Sequence, residues 1–131
     1  MVKITRAEVK LLFRWLNVPL HGELIKSREA FLKPIYEAFA EIEPKRLEIL
    51  TEYSEKDKKG KTVFDEGKFK LIEGKKEECL QKFNAYLEEE VVIIATPKEL
   101  ADVRTILTQK MTTPLDIPEG KAHTELVEKL K

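Results

Sequence analysis

Residues 50–72 read Leu50-Thr51-Glu52-Tyr53-Ser54-Glu55-Lys56-Asp57-Lys58-Lys59-Gly60-Lys61-Thr62-Val63-Phe64-Asp65-Glu66-Gly67-Lys68-Phe69-Lys70-Leu71-Ile72, and along them the chain changes period. Up to Tyr53 the apolar residues recur every three or four positions, as on one face of a helix. Ser54 to Gly60 is polar and turn-like. From Lys61 the pattern becomes strand, turn and strand: Lys61–Phe64, Asp65-Glu66-Gly67, then Lys68–Ile72, with Phe69 and Leu71 alternating against Lys68 and Lys70. Gly67 supplies the positive φ that a short hairpin loop needs. A lone hairpin is marginal in water, so this one must pack on helices. The expected fold is therefore mainly α with a small β-hairpin.

On the N-terminal side, Glu23 to Tyr53 carries one long stripe (Leu24, Phe31, Ile35, Ala38, Ile42, Ile49) interrupted by Pro34 and Pro44. A proline inside a helix lacks an N–H and presses on the carbonyl four residues back. Each proline could instead open a new helix at its first position, but neither Lys33 nor Glu43 is a good cap, so the spacing favours a kinked continuous helix. Before it, Thr5-Arg6-Ala7-Glu8 forms a capping box for a helix over Arg6–Leu16, with Val9, Leu12, Phe13 and Leu16 on one face. Asn17-Val18-Pro19 stops that helix. On the C-terminal side, Lys75–Glu89 reads as a helix with Cys79, Leu80, Phe83, Tyr86 and Leu87 as its stripe. It is expected to pair with the long helix as an antiparallel helical hairpin flanked by short helices. The β-branched run Val91–Ile94 is expected to add a third strand beside the hairpin. Thr96-Pro97-Lys98-Glu99 is a second capping box with proline at the first helical position, opening a helix that ends near Met111. This places a globular helical domain at 1–111. Residues 112–131 follow as an arm carrying Pro114 and Pro118, with a short amphipathic helix over His123–Lys131.

Composition narrows the function. The chain has 131 residues, of which 37% are charged, yet its formal net charge is zero. A protein built mainly to neutralise a nucleic-acid backbone is normally basic overall. One cysteine allows no internal disulfide, which suits a reducing compartment. No apolar run approaches the roughly 20 residues that span a bilayer, so no membrane partner is expected. Met1 to Arg6 lacks the apolar stretch of an export signal.

The search for chemistry returns structural readings. Lys59-Gly60-Lys61-Thr62 ends like a phosphate-binding loop, but position 55 is Glu and a strand follows. His21 and His123 are isolated, and no Cys-x-x-Cys or His-x-x-x-His spacing exists, so no metal or cofactor is expected. Cys79 reads as a small buried hydrophobe. Glu37 with Glu41 and Glu48 with Glu52 share helical faces, best read as solvated acid. No catalytic residue is expected, and the chain reads as a non-enzyme.

Charge is unevenly spread. Residues 55–76 hold eight lysines against five acids, plus three; residues 77–90 hold five glutamates against Lys82, minus four. The hairpin end is thus basic, and Lys58, Lys59, Lys61, Lys68 and Lys70 are candidate partner-binding residues. Phe64 and Phe69 read as the packed face of the hairpin rather than a base-stacking pair. Trp15 reads either as core or, together with Arg14, as an exposed anchor for a partner.

Tyr53, Glu55, Lys56, Asp57 and Gly60, then Phe83-Asn84, then Glu90-Val91-Val92-Ile93 follow in order after a long helix. Over about residues 20–94 this layout resembles a family of small, uncharacterised tailed-phage and prophage proteins. Their pattern is a long helix, a Tyr-x-Glu-Lys-Asp-x-x-Gly turn, a hairpin, a helix with a Phe-Asn pair and a closing strand. The chain departs from that pattern after Thr96. The resemblance implies a phage accessory protein, structural or assembly-related, that acts by contact with a protein partner or with further copies of itself. It would work in the host cytoplasm or in the virion. The alternative is a small regulator or inhibitor that binds nucleic acid, or a nucleic-acid enzyme, through the basic hairpin tip.

Overall fold

A computed structural model describes residues Met1 to Lys131. The fold is mainly α with two small antiparallel sheets. Strand β1 (Val2–Thr5) runs directly into α1 (Arg6–Trp15). Thr5 caps α1: its Oγ1 accepts from the Glu8 amide at 3.1 Å, and Glu8 Oε1 accepts from the Thr5 amide at 2.9 Å. The end of α1 is closed from the next helix, where Arg28 Nη1 donates to the carbonyls of Leu16 and Val18 at 3.2 and 2.6 Å.

Helix α2 (Glu23–Ala40) passes through Pro34 without a break. Pro44 acts differently. It offers no N–H to the Ala40 carbonyl, and the helix is interrupted at Glu41 before resuming as α3 (Ile42–Glu52). The expected single kinked helix is therefore two helices, one residue apart. They also have different partners. Helix α2 lies against α1 and against α5 (Pro97–Thr105), whereas α3 lies against α4 (Lys76–Glu88). Only the α3 half of the long pattern forms the expected helical hairpin.

The hairpin comprises β2 (Phe64–Asp65) and β3 (Lys68–Phe69), with Phe64 opposite Phe69 and Asp65 opposite Lys68. Glu66 and Gly67 both have positive φ, 51° and 78°, the geometry of a two-residue turn that matches strand twist. Strand β4 (Glu90–Ile93) does not join this hairpin, contrary to the sequence expectation. It pairs antiparallel with β1, Val2 opposite Ile93 and Ile4 opposite Val91. The alternation decides this: Val2, Ile4 and Ile93 turn inward and are buried, while Lys3 and Val92 face out.

Helix α5 opens with the second capping box, Thr96 Oγ1 accepting from the Glu99 amide at 3.1 Å. It continues into a π-helical turn, Ile106–Lys110. Thr105 and Thr108 donate their hydroxyls to the carbonyls four residues back, at 3.1 and 2.8 Å, which loosens this stretch. His123 Nε2 donates to the Leu107 carbonyl at 2.8 Å. The last helix, α6 (Ile117–Lys129), starts well before His123, because Asp116 caps it and Pro118 falls in the first turn, where its missing N–H is no loss. Leu126 and Leu130 are fully buried in the same core as β1 and α1, so the C-terminal segment is part of the folded body.

There are two cores. The larger holds sixteen buried residues from β1, α1, the α1–α2 connection, α2, β4, α5, the π turn and the α6 segment; the smaller holds Ile42, Ile49, Cys79 and Tyr86. Arg6 joins them, its guanidinium 4.3 Å from the Tyr86 ring centroid and 2.7 Å from Glu89 Oε1. Helices α2 and α5 are tied by Asp102, whose carboxylate accepts from Ser27 Oγ at 2.5 Å and from Lys98 Nζ at 2.8 Å. Those two bonds, Lys98 first, hold the Asp102 carboxyl below its ordinary value. A lowered folded value means stabilisation that is full above the unfolded pKa and lost as pH falls through the folded one. Acid titration of the melting temperature below about pH 4 is expected to show a flatter decline in Asp102→Asn than in the native chain.

Candidate functional site

The basic end of the molecule is built by the segment linking α3 to α4. Ser54 to Lys56 runs alongside both arms of the hairpin, with isolated antiparallel bridges from Ser54 to Leu71 and from Lys56 to Thr62. The Glu55 amide donates to the Lys70 carbonyl at 2.8 Å, and the Glu55 carbonyl accepts from the Val63 amide at 2.9 Å. The Tyr53 carbonyl accepts from the Ile72 amide at 2.9 Å. Asp57 shapes the lysine-rich bend: its Oδ1 accepts from the amides of Lys59 and Lys61 at 2.8 and 2.9 Å. Gly60 takes φ 77°, a conformation costly for other residues. Lys56 Nζ donates to the Thr51 carbonyl and to Thr62 Oγ1. Tyr53, Glu55, Lys56, Asp57 and Gly60 thus each have an architectural task. Asp57→Ala is expected to speed amide exchange at Lys59 and Lys61 by roughly fivefold, each lost bond being worth about 1 kcal/mol; exchange measured by NMR checks this.

Lys58, Lys59, Lys61 and Lys68 are exposed on this framework, and none lies within 4.0 Å of a carboxylate. Lys70 differs, since Glu55 holds it at 3.3 Å. Asp65, Glu66 and Glu73 offset part of the local positive charge. Phe64 and Phe69 lie with ring centroids 4.8 Å apart, but Phe64 is 56% exposed, so the pair is not the buried face of the hairpin that the sequence suggested.

Beside the hairpin lies an apolar cleft of about 250 Å³ between α3 and α4. Ile49 and Leu50 form one wall, Cys79, Leu80 and Phe83 the other, and Leu71 closes it from the hairpin. Its two polar lining residues, Arg46 and Lys76, are both cationic. Arg46 is held by Glu43 through two bonds of 2.6 and 2.9 Å, which keep the Glu43 carboxyl low and the guanidinium high. Lys76 has no carboxylate partner. Leu80 is 58% exposed at the mouth, although it belongs to the helix's apolar stripe. Burial, then the charge of Glu52, pushes the Cys79 thiol up.

The other candidates fall elsewhere. Trp15 is fully buried at the centre of the larger core, its ring 5.4 Å from that of His123 in an edge-on contact, so it is not an exposed anchor. The reason is its place on α1, between the buried Leu12 and Leu16 and beneath α6. Arg14 is exposed but pairs with Glu119 of α6. Glu48 and Glu52 are engaged by Lys45 and Lys82, and Glu37 and Glu41 face solvent. No three His, Cys, Asp or Glu side chains are grouped to hold a metal ion. No helix is long and apolar enough to cross a membrane. The cleft was missed in the sequence, where Cys79, Leu80 and Phe83 read simply as core. The available signal was the width of that stripe: with Tyr86 and Leu87 it wraps further round the helix than one packing partner covers.

No protein-family model, curated protein or solved structure matches the chain.

Proposed function

We propose that the chain is a non-enzymatic protein–protein interaction module, a phage or prophage accessory protein of structural or assembly type, which meets its partner with the α3–hairpin–α4 end. The observation that carries this reading is the adjacency of an open apolar cleft, with Leu80 at its mouth, to lysines that no carboxylate of the chain engages. Apolar anchors ringed by charge are the usual anatomy of a protein interface. The resemblance of residues 20–94 to small tailed-phage proteins supports the accessory role, in the host cytoplasm or the virion. The unpaired lysines also favour a second reading, a regulator that binds nucleic acid. Against it stands the zero net charge.

A photo-crosslinking residue placed at Leu80 in the full chain tests the first reading. It is expected to give protein adducts in host extract, where the same group at Lys33 of α2 gives none. The adducts are expected to disappear when Lys59, Lys61, Lys68 and Lys76 are all changed to Glu. The nucleic-acid reading predicts instead an oligonucleotide affinity falling with a log–log salt slope of about −3 to −4, as four phosphate contacts require. The same four substitutions would abolish that affinity.

A further inference from the structure

We infer that the partner presents an acidic amphipathic helix, laid in the groove between α3 and α4 with its apolar side chains in the cleft. This inference rests on the docking role just proposed and specifies its occupant. The groove is formed by two antiparallel helices: Tyr86 near the end of α4 reaches the Glu41 carbonyl before α3, and Lys82 pairs with Glu52 at the far end of α3. Its α4 wall repeats at positions 76, 79, 80 and 83, so it offers about two turns of helix surface. A third helix fills such a groove by ridge packing, with anchors three and four residues apart. An extended strand would instead need a free sheet edge, and both walls here are helical.

Charge selects the flanks of that helix. Three carboxylates beside the groove are already paired, Glu43 by Arg46, Glu52 by Lys82 and Glu78 by Lys75; Glu77 is exposed and unpaired, but it does not line the cleft, whose polar lining is Arg46 and Lys76 alone. What remains in the lining is Lys76 on α4, opposite Arg46 on α3, and the hairpin segment whose Leu71 closes the cleft also carries Lys61 and Lys68, with Lys58 and Lys59 in the bend before it. Acidic residues beside the anchors would complement these groups, and basic ones would meet like charge.

Cys79 lines the cleft and is the sole cysteine, but it is buried and its thiol is pushed up, so it alkylates only when the smaller core opens, and the slow rate reports whether a bound helix holds the cleft shut. The probe is a stapled helical peptide with leucines at i, i+3 and i+7 and glutamates on its flanks, added to the full chain. It is expected to slow alkylation of Cys79. A counterpart with lysines for glutamates, or with a central proline and no staple, is expected to leave the rate unchanged. Leu80→Ser, at an exposed position that folding tolerates, is expected to weaken protection about tenfold, the loss of one anchor. Lys76→Glu is expected to shift preference toward the lysine peptide. Equal protection by the lysine peptide, protection by the proline peptide or by a single-stranded oligonucleotide, or protection by none would overturn the inference. Should it fail while crosslinks at position 80 persist, the partner class is wrong and the docking surface stands. Should those crosslinks also be absent, the surface falls with it.

Discussion

A chain ending at Met111 is expected to lose its native fold, not merely its tail. Helix α6 contributes Leu126 and Leu130, both fully buried, to the larger core. Each buried leucine removed costs about 2–5 kcal/mol, against a total stability of about 5–15 kcal/mol for a domain of this kind. The loss extends beyond leucine packing. Trp15 would lose its contact with His123, the Leu107 carbonyl its donor, and Arg104 its 2.9 Å bond to the Leu130 carbonyl. Glu8, which caps α1, would lose Lys129 at 2.7 Å. Near-ultraviolet circular dichroism and amide shift dispersion should both collapse in the truncated chain; retention of native dispersion would show that residues 112–131 are dispensable.

Substitution of Trp15 should be nearly as damaging. Trp15→Ala is expected to cost about 3–5 kcal/mol, the usual range for emptying a buried aromatic site. Trp15→Phe should cost distinctly less. It keeps an aromatic ring and removes an indole N–H that is buried without an acceptor, a group whose unpaired burial costs about 1–3 kcal/mol. Denaturant midpoints of the two variants decide the matter. If Ala and Phe were equivalent, the volume of Trp15 would not be what holds α1 and α6 together.

What the sequence revealed was local. Both capping boxes, Thr5 with Glu8 and Thr96 with Glu99, are written within four residues, and both stand in the structure. The Glu66-Gly67 turn is similarly local, and so is the mainly helical character with its hairpin. Pairings across the chain were not legible. Val2-Lys3-Ile4 is too short to announce a strand, and its partner β4 lies far along the chain, so β4 was drawn to the nearer hairpin. The start of α6 was hidden because Pro114, Pro118 and Gly120 read as linker residues, although a proline in a first helical turn is permitted. The lysines of the candidate site were visible by composition. The cleft beside them was not, because a stripe along a helix does not say how much of it a neighbour covers.

The smaller core draws all four of its buried residues from one continuous segment, Ile42 to Glu88, and the larger core draws none from it. That segment leaves and re-enters the body at neighbouring points, since Tyr86 Oη donates to the Glu41 carbonyl at 3.4 Å. It is in effect a cassette mounted on a platform that both chain termini complete. Change at its tip would reach the smaller core through Leu71, while the sixteen buried side chains of the platform keep their neighbours.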